Sequence, residues 1–517
     1  MSSRLSKSAL FSTLPPPWRE YLRLRIRDAV AARPEHKIVV IDDDPTGTQT
    51  VYDVPVLTSW ELETLRAEFS GCEPCFYILT NSRSLPPEQA RALTLELAKN
   101  LRAAAGVRPF TLVSRSDSTL RGHFPLETDA LDEVLGPFDA TMLIPYFEDG
   151  GRYTIDNVHY IADGDVLVPT AETPFARDTA FGYRSSHLPT YAEEKSGGRI
   201  KASEVRSIGL DELRRGGPDA VAERLLALPR SSLVVINAAA LADLDVFVAG
   251  LLAAEMQGRR FCFRTAAEFP AARLGLARRP LLTAHALGLT NTIGTRTASQ
   301  SSSRDYLPPG AVLPPTEMHR KPSGTSKEER DSASGVLPNT GGLIMVGSYV
   351  PTTTRQVAQL ADNEDLLRVE VSVDQLLTAR RRQILRNVST TVTKALSAGQ
   401  DVMVFTSRPR VGGDSPAGSL QIGGRISEAL VELVRGLEVR PRYLLAKGGV
   451  TASDLATRAL GVKRAMVLGQ LVPGVPVWRL GLEAKFPGMT YIVFPGNIGG
   501  PDALAYALRT LALKTIP

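Results

Sequence analysis

Three adjacent carboxylates, Asp42, Asp43 and Asp44, follow the short apolar run Ile38–Ile41 in the stretch KIVVIDDDPTGTQT (37–50). Acids packed this closely at the end of a buried strand repel one another and lose hydration. A fold keeps them where they hold a metal, take a proton or grip a polar ligand. Pro45 and Gly47 turn the chain, and Thr46 and Thr48 add hydroxyls to the same loop. The plain alternative is a solvated acidic turn, which an interior strand immediately upstream argues against.

Arginines gather in the loops that follow. Arg83 lies in TNSRS after Phe76–Leu79, and Arg115, Asp117 and Arg121 lie in SRSDSTLRGH after Phe110–Val113. The guanidinium fork matches a carboxylate. Three arginines facing an acid cluster suggest an acidic, hydroxylated substrate held near a base; surface ion pairs are the competing reading. His123 and His159 read as structural, and Asp163-Gly164-Asp165 as a turn.

A third group removes side chains instead of adding them. Gly448 and Gly449, followed by Val450 and Thr451, come directly after the run Tyr443–Ala446 and Lys447, and Gly347-Ser348 and Gly496–Gly500 also follow apolar runs. A glycine turn at a helix start presents backbone N–H groups that suit a phosphate. A helix opening at Thr451 with Asp454 three residues on resembles a capping box. Several such loops at one sheet edge suggest a nucleotide bed. There is no GxxxxGK[ST] loop and no GxGxxG, so the nucleotide would be held without a Walker lysine and is not a standard NAD.

The elements that must position these groups alternate in type. Apolar runs at 38–41, 76–79, 110–113, 142–144, 233–236 and 261–263 are separated by polar loops and by helices at 86–105 and 125–135. The second half repeats this with strands at 343–346, 401–405, 443–446 and 492–494 and helices at 374–398, 425–439, 452–460 and 502–512. This is α/β architecture with mostly parallel sheets flanked by helices, whose carboxyl edges line a ligand crevice. The expected organisation is an N-terminal extension with a helix (1–36), a first domain (37–289), a Ser/Pro-rich linker or disordered insertion (290–341) and a second domain (342–517), with the active site between the domains. Residues 155–181 read as an irregular excursion over the site.

Composition bounds the rest. The 517 residues suffice for two or three domains, with 43% hydrophobic and 22% charged residues. Sixty basic residues nearly balance 55 acidic ones, a net charge of +5. That gives no case for nucleic acid, and no run nears the ~20 apolar residues of a membrane span. Cys72 and Cys75 form a lone CxxC and read as reduced residues of an intracellular, cytoplasmic protein. Residues 1–19 carry no acid, a weak organellar-targeting signal. The oligomeric state stays open, a homo-oligomer included.

Taken together, DDDPTGTQ, RSDSTLRGH, TPFARDTAFGYRSSHL, GSYVPTTTRQ, AKGGVTASDLATRALGV, PGVPVW and FPGNIGG resemble the four-carbon acid sugar kinase family over about residues 37–290 and 341–512, in matching order. The resemblance implies a sugar-acid-binding N-terminal domain and an ATP-binding C-terminal domain. It implies ATP- and Mg2+-dependent phosphorylation of a hydroxyl on a threonate- or erythronate-like acid. Asp43 and Asp44 match the family's DDxTG pair, one of them serving as base, with Asp42 extra. Arg115, Asp117, Ser118 and Arg121, with Arg83, fall to the substrate. Ser348, Gly448, Gly449, Val450, Thr451 and Gly496 fall to ATP. No metal ligand is identified. Pro45 stands where many relatives have an aromatic residue, and Arg115 where many have lysine. The rival readings are a haloacid-dehalogenase-like phosphatase, with Asp42-x-Asp44-x-Thr46 as its DxDxT and Asp42 as nucleophile, and a non-catalytic effector that binds an acid and a nucleotide.

Overall fold

The structure, a computed structural model, describes residues 4–289, 340–408 and 416–512. Residues 290–339 of the expected linker lie outside these. In chain order the strands are β1 (Leu5–Ser6), β2 (Lys37–Asp42), β3 (Val54–Leu57), β4 (Cys75–Leu79), β5 (Phe110–Arg115), β6 (Ala140–Ile144), β7 (Arg152–Ile155), β8 (Val158–Asp163), β9 (Val166–Pro169), β10 (Arg206–Ile208), β11 (Ser232–Ile236), β12 (Phe261–Thr265), β13 (Leu343–Val346), β14 (Leu366–Val371), β15 (Asp401–Thr406), β16 (Tyr443–Lys447), β17 (Arg464–Val472), β18 (Val475–Leu480) and β19 (Thr490–Phe494).

Fifteen strands form one sheet, ordered β10-β11-β6-β12-β5-β2-β4-β3-β17-β18-β19-β16-β13-β15-β14. From β10 to β3 every pairing is parallel. The interior strands read as unbroken apolar runs because helices cover both faces, leaving Ile38, Val39 and Val40 almost fully buried. Pro87–Ala105 is one covering helix: Ala90, Leu97, Ala98 and Leu101 face the sheet, with proline at its first residue and Gly106 past its end at φ 59°.

The second half is parallel from β19 to β14. The two halves are not separate sheets. β3 pairs antiparallel with β17, Val54–Leu57 against Arg464–Val467, and β17, β18 and β19 form an antiparallel bridge to the second parallel set. Backbone bonds Thr58 N to Lys463 O and Asp53 N to Val467 O extend the seam, and Arg464 Nε meets Glu68 Oε1 at 2.6 Å. Of the bridge strands, β17 alternates buried and half-exposed residues and so lacks the long apolar run that marks the others.

Several local expectations change. Strands β5, β12 and β16 run on to Arg115, Thr265 and Lys447, so these polar residues are strand ends and not loop residues. The excursion at 155–181 is largely an antiparallel sheet in which β1, β9, β8 and β7 are neighbours. The expected helix at 374–398 is two, Val373–Leu376 and Arg381–Ser397. The second glycine turn opens a helix at Gly449, not Thr451, and its cap residue Gly448 makes no side-chain cap bond. Asp454 is instead the acceptor of Ser427 Oγ, so no capping box forms. Among the described residues no helix is long and apolar enough to cross a membrane.

Candidate functional site

Asp42, the last residue of β2, lies directly opposite Arg115, the last of β5. Both are buried, and Arg115 Nη1 donates to Asp42 Oδ1 at 2.9 Å. Burial pushes Asp42 up to about 7; Arg115 pulls it down, and Asp43 and Asp44 push it further up. The loop folds back so tightly that a Cβ on Gly47 would overlap both Asp42 Oδ2 and Arg115 Nη1. The glycine of DDDPTGT is therefore the lid of a buried ion pair.

Asp43 faces the opposite side. Arg83 binds it through Nη2 and Nε, and Ser116 Oγ donates to its Oδ2. Arg264 Nη2 holds Ser116 Oγ at 2.7 Å, while its Nη1 reaches Glu127 Oε2 at 2.7 Å and Ser114 Oγ at 2.9 Å. Ser82 Oγ donates to the other oxygen of Glu127. Gly122, at φ 126°, closes this network: a Cβ there would stand 2.6 Å from both Arg264 Nη2 and Ser116 Oγ. Asp43 has only 3% of its side chain exposed.

Asp44 is the most accessible of the three, with 26% of its side chain exposed against 0% for Asp42. Arg83 Nη1 donates to its Oδ2 at 3.0 Å, and Thr46 donates twice to its Oδ1, N–H at 2.8 Å and Oγ at 2.6 Å. Burial works against its charge, but Arg83, Arg115 and the two Thr46 bonds outweigh it and hold the carboxyl below its ordinary range.

Arg121 and Asp117 pair at 2.6 Å through Nε, beside the Phe175 ring at 5.0 Å and Asp178 at 3.8 Å. Burial opposes the charge on Asp117, yet Arg83 and Arg121 keep it well below the carboxylate range. A cavity of about 20 Å³ opens here between Ser116, Asp117, Arg121 and Arg264. A larger cavity, about 430 Å³, lies at the other edge of the sheet beside Ala140, Arg206 and Ser232 and touches none of Asp42, Asp43, Asp44 and Asp117. The chemistry of the first site, not the size of the second, decides between them. Ser118 supplies its carbonyl to His159 Nε2 at 2.8 Å, and burial holds His159 down to about 4. His123 Nε2 lies 3.1 Å from the carbonyls of Ser82 and Leu85. Both rings tie loops together.

Arg115, expected at the substrate, is buried beneath Gly47 and paired with Asp42. Asp42 is equally closed: fully buried, it offers an incoming phosphate no approach, which removes the nucleophile of the phosphatase reading.

On the second half, Ser348 follows β13, Gly448 and Gly449 follow β16, and Gly496 follows β19. These loops pack closely, with the Ser348 and Thr451 side chains against the glycines. A Cβ on Gly347 would overlap Thr451 Oγ1, one on Gly448 (φ 117°) would stand 3.0 Å from Ser348 Cβ, and one on Gly496 2.7 Å from Ser348 Oγ. Thr353 Oγ1 ties the set, donating to Gly496 O at 2.8 Å and Ser348 Oγ at 3.2 Å. Val450 is exposed at the turn. The two halves meet at this point: a Cβ on Gly449 would lie 4.0 Å from Asp44 Oδ1 and 3.9 Å from Thr46 Cγ2. A second link is buried, where Trp478 Nε1 donates to Thr48 Oγ1 at 3.0 Å.

Sequence reasoning passed over Glu127, Arg264 and Trp478. Arg264 carried a signal, a charged residue at the end of an apolar strand. Glu127 sat inside a helix pattern and carried none. Trp478 closed a motif whose chemistry was not evident.

Comparison with known proteins agrees in outline. A sugar-binding N-terminal domain model matches residues 38–273, and a nucleotide-binding C-terminal domain model matches residues 343–504. A 3-oxo-tetronate kinase of Cupriavidus necator is 26% identical over 440 residues, covering 84% of this chain and 86% of that one. A D-erythronate kinase of Heliobacterium modesticaldum is 32% identical over 223 residues, covering 41% of this chain and 47% of its own. The crystal structure of a Haemophilus influenzae protein matches the fold with a TM-score of 0.58 at 18% identity, covering 92% of this chain and 100% of that chain.

Proposed function

The chain belongs to the four-carbon acid sugar kinase family, and from that premise we propose that it moves the terminal phosphoryl group of ATP to a hydroxyl of a four-carbon sugar acid, a threonate, an erythronate or an oxo relative. The observation that carries this reading is the approach of Gly449 to Asp44, which sets a side-chain-free loop of one half against the exposed acid of the other. The glycine turns around Ser348 suit a nucleotide, since a side chain at Gly448 or Gly496 would press on Ser348 and displace it. Mg2+ would arrive on the phosphates of the nucleotide, as it commonly does at phosphoryl-transfer sites. Bound together, nucleotide and metal supply the phosphoryl group and the neutralisation of its charge.

The residues of the chain then position and deprotonate. Asp44 takes the proton of the attacking hydroxyl, being ionised and reachable where Asp42 and Asp43 are enclosed. Arg83 spans Asp43 and Asp44 and fixes the angle between them. Arg121, oriented by Asp117 and half-buried beside Phe175, takes the carboxylate of the acid. Asp117 and Ser118 face its hydroxyls. The Asp42–Arg115 pair is a foundation for the loop and touches no substrate.

The test is a panel of three- to five-carbon sugar acids with ATP and Mg2+, read by ADP release and by phosphorus NMR of the product. Acid-dependent ADP release with one phosphorylated acid is expected. ADP release with no phosphorylated acid sinks the proposal, as does phosphate release from a phosphorylated acid without ATP.

A further inference from the structure

Four arginines on the acceptor side of the cleft have a carboxylate partner: Arg83 with Asp43 and Asp44, Arg115 with Asp42, Arg121 with Asp117, Arg264 with Glu127. Arg152, near Asp117, donates to the Gly150 carbonyl instead. Across the cleft, β16, β13 and β15 are neighbours. Ser348 follows the middle one, Lys447 ends one flank, and Arg408 stands two residues beyond the other.

Arg408 is anchored on neutral acceptors. Its Nη1 donates to Ser348 O at 2.9 Å, its Nε to Thr406 O at 2.9 Å, and its Nη2 to Thr406 O at 2.6 Å and Thr406 Oγ1 at 2.9 Å. These use four of the five guanidinium donors, and the fifth, on Nη1, has no partner among the described residues. Lys447 is buried and likewise held by carbonyls, Pro495 O at 2.6 Å and Gly496 O at 3.4 Å, over the Phe494 ring at 3.9 Å. Among the described residues neither cation has a carboxylate within ion-pair distance; Glu370 on β14 faces Arg408 from beyond it. Partly buried cations without counter-charge are costly, and a fold retains them where an anion completes the site.

We infer that Arg408 contacts the phosphate chain of the nucleotide and that Lys447, one strand beyond Ser348, positions the Gly496 loop behind it. Arg408 supplies the positive charge that a P-loop lysine supplies elsewhere, while Lys447, which burial lowers to about 7, acts through its bonds to the Pro495 and Gly496 carbonyls. Arg408 is locked against the Ser348 carbonyl, so the bond that orients it also sets the first glycine loop. The inference rests on the kinase reading and adds the residue that neutralises the nucleotide.

The test measures binding of ATP, ADP, AMP and adenosine to the full-length chain by calorimetry, for the wild type, Arg408→Ala and Arg408→Lys. In Arg408→Ala the affinity for ATP falls at least about tenfold and that for ADP less, adenosine is unaffected, and the KM of the sugar acid is unchanged. Arg408→Lys recovers part of the loss. Unchanged ATP affinity in Arg408→Ala overturns the inference. So does an equal loss for ATP and adenosine, which is the signature of a merely structural residue. A wild-type chain that binds no adenine nucleotide overturns the kinase reading itself, a result the variants do not affect.

Discussion

Replacing Asp44 with Asn tests the assignment of the base most directly. The substitution preserves size, and its amide oxygen still accepts from Thr46 N–H and Oγ. Its NH2 then points at Arg83, which keeps its grip on Asp43. The loop stays closed while the proton acceptor is lost. A positioned general base is worth about 10²- to 10⁴-fold in rate, or roughly 3–5 kcal/mol of barrier. A coupled ADP-release assay therefore shows kcat down by that factor, with the KM for ATP within about threefold of wild type. The pH profile makes the argument sharper. Arg83 and Thr46 hold Asp44 below the usual carboxylate pKa near 4, so it is ionised throughout the neutral range. The rate then shows no acid limb from this group above about pH 5. Thr46→Val removes one of the three hydrogen bonds to the carboxylate and moves the limb upward. An Asp44→Asn enzyme that keeps kcat within about threefold of wild type refutes the assignment. A wild-type limb near pH 7 would also count against Asp44 as the titrating base.

Three further outcomes follow from the same geometry. Gly47→Ala drives a methyl group into the buried Asp42–Arg115 pair; breaking such a pair costs about 3–5 kcal/mol, so thermal melts should drop by more than about 5 °C. Trp478→Phe and Thr48→Val each remove the same buried bond, so a double-mutant cycle on kcat should give a coupling of about 0.5–1.5 kcal/mol, and strict additivity would show that the bond does not hold the acid loop. Burial holds His159 down to about 4 against 6.5 unfolded, so its contribution is intact above pH 6.5 and lost as pH falls toward 4, a loss of about 3 kcal/mol; melts of His159→Gln should lack that acid-side dependence.

Much of this arrangement was legible in the chain because interior parallel strands announce themselves. Ile38–Ile41 and Tyr443–Ala446 are short apolar runs that a half-exposed strand could not sustain, and a polar loop after each has only the carboxyl edge to occupy. The bridging strands β3, β17 and β18 were not legible. The half-exposed alternation of β17 and the proline in Val54–Leu57 resemble loop as much as strand. The role of each acid was also hidden. Asp42, Asp43 and Asp44 are chemically identical neighbours, and only the alternation of side chains at the end of β2 sends the first to Arg115 beneath Gly47 and the second to Ser116 beneath Gly122. The pairing of Arg115 was hidden for the same reason: its strand continues beyond the apolar run, which sets Arg115 opposite Asp42.

The fused sheet also explains how two carboxyl edges come to face each other. Across the β3–β17 seam, β16 runs opposite to β2, so in a flat sheet the acid loop and the glycine turn would lie at opposite edges. Six neighbour steps separate β2 from β16: β4, β3, β17, β18, β19 and then β16. At about 20–25° of twist per step the strand axis turns by roughly 120–150°, which undoes most of that opposition. The bridge of β17, β18 and β19 is thus a spacer whose strand count sets the angle of the cleft, and the contact of Gly449 with Asp44 is its result. The spacer is a hydrogen-bonded ladder and not a hinge loop, and Trp478 on β18 ties it to Thr48 in the acid loop.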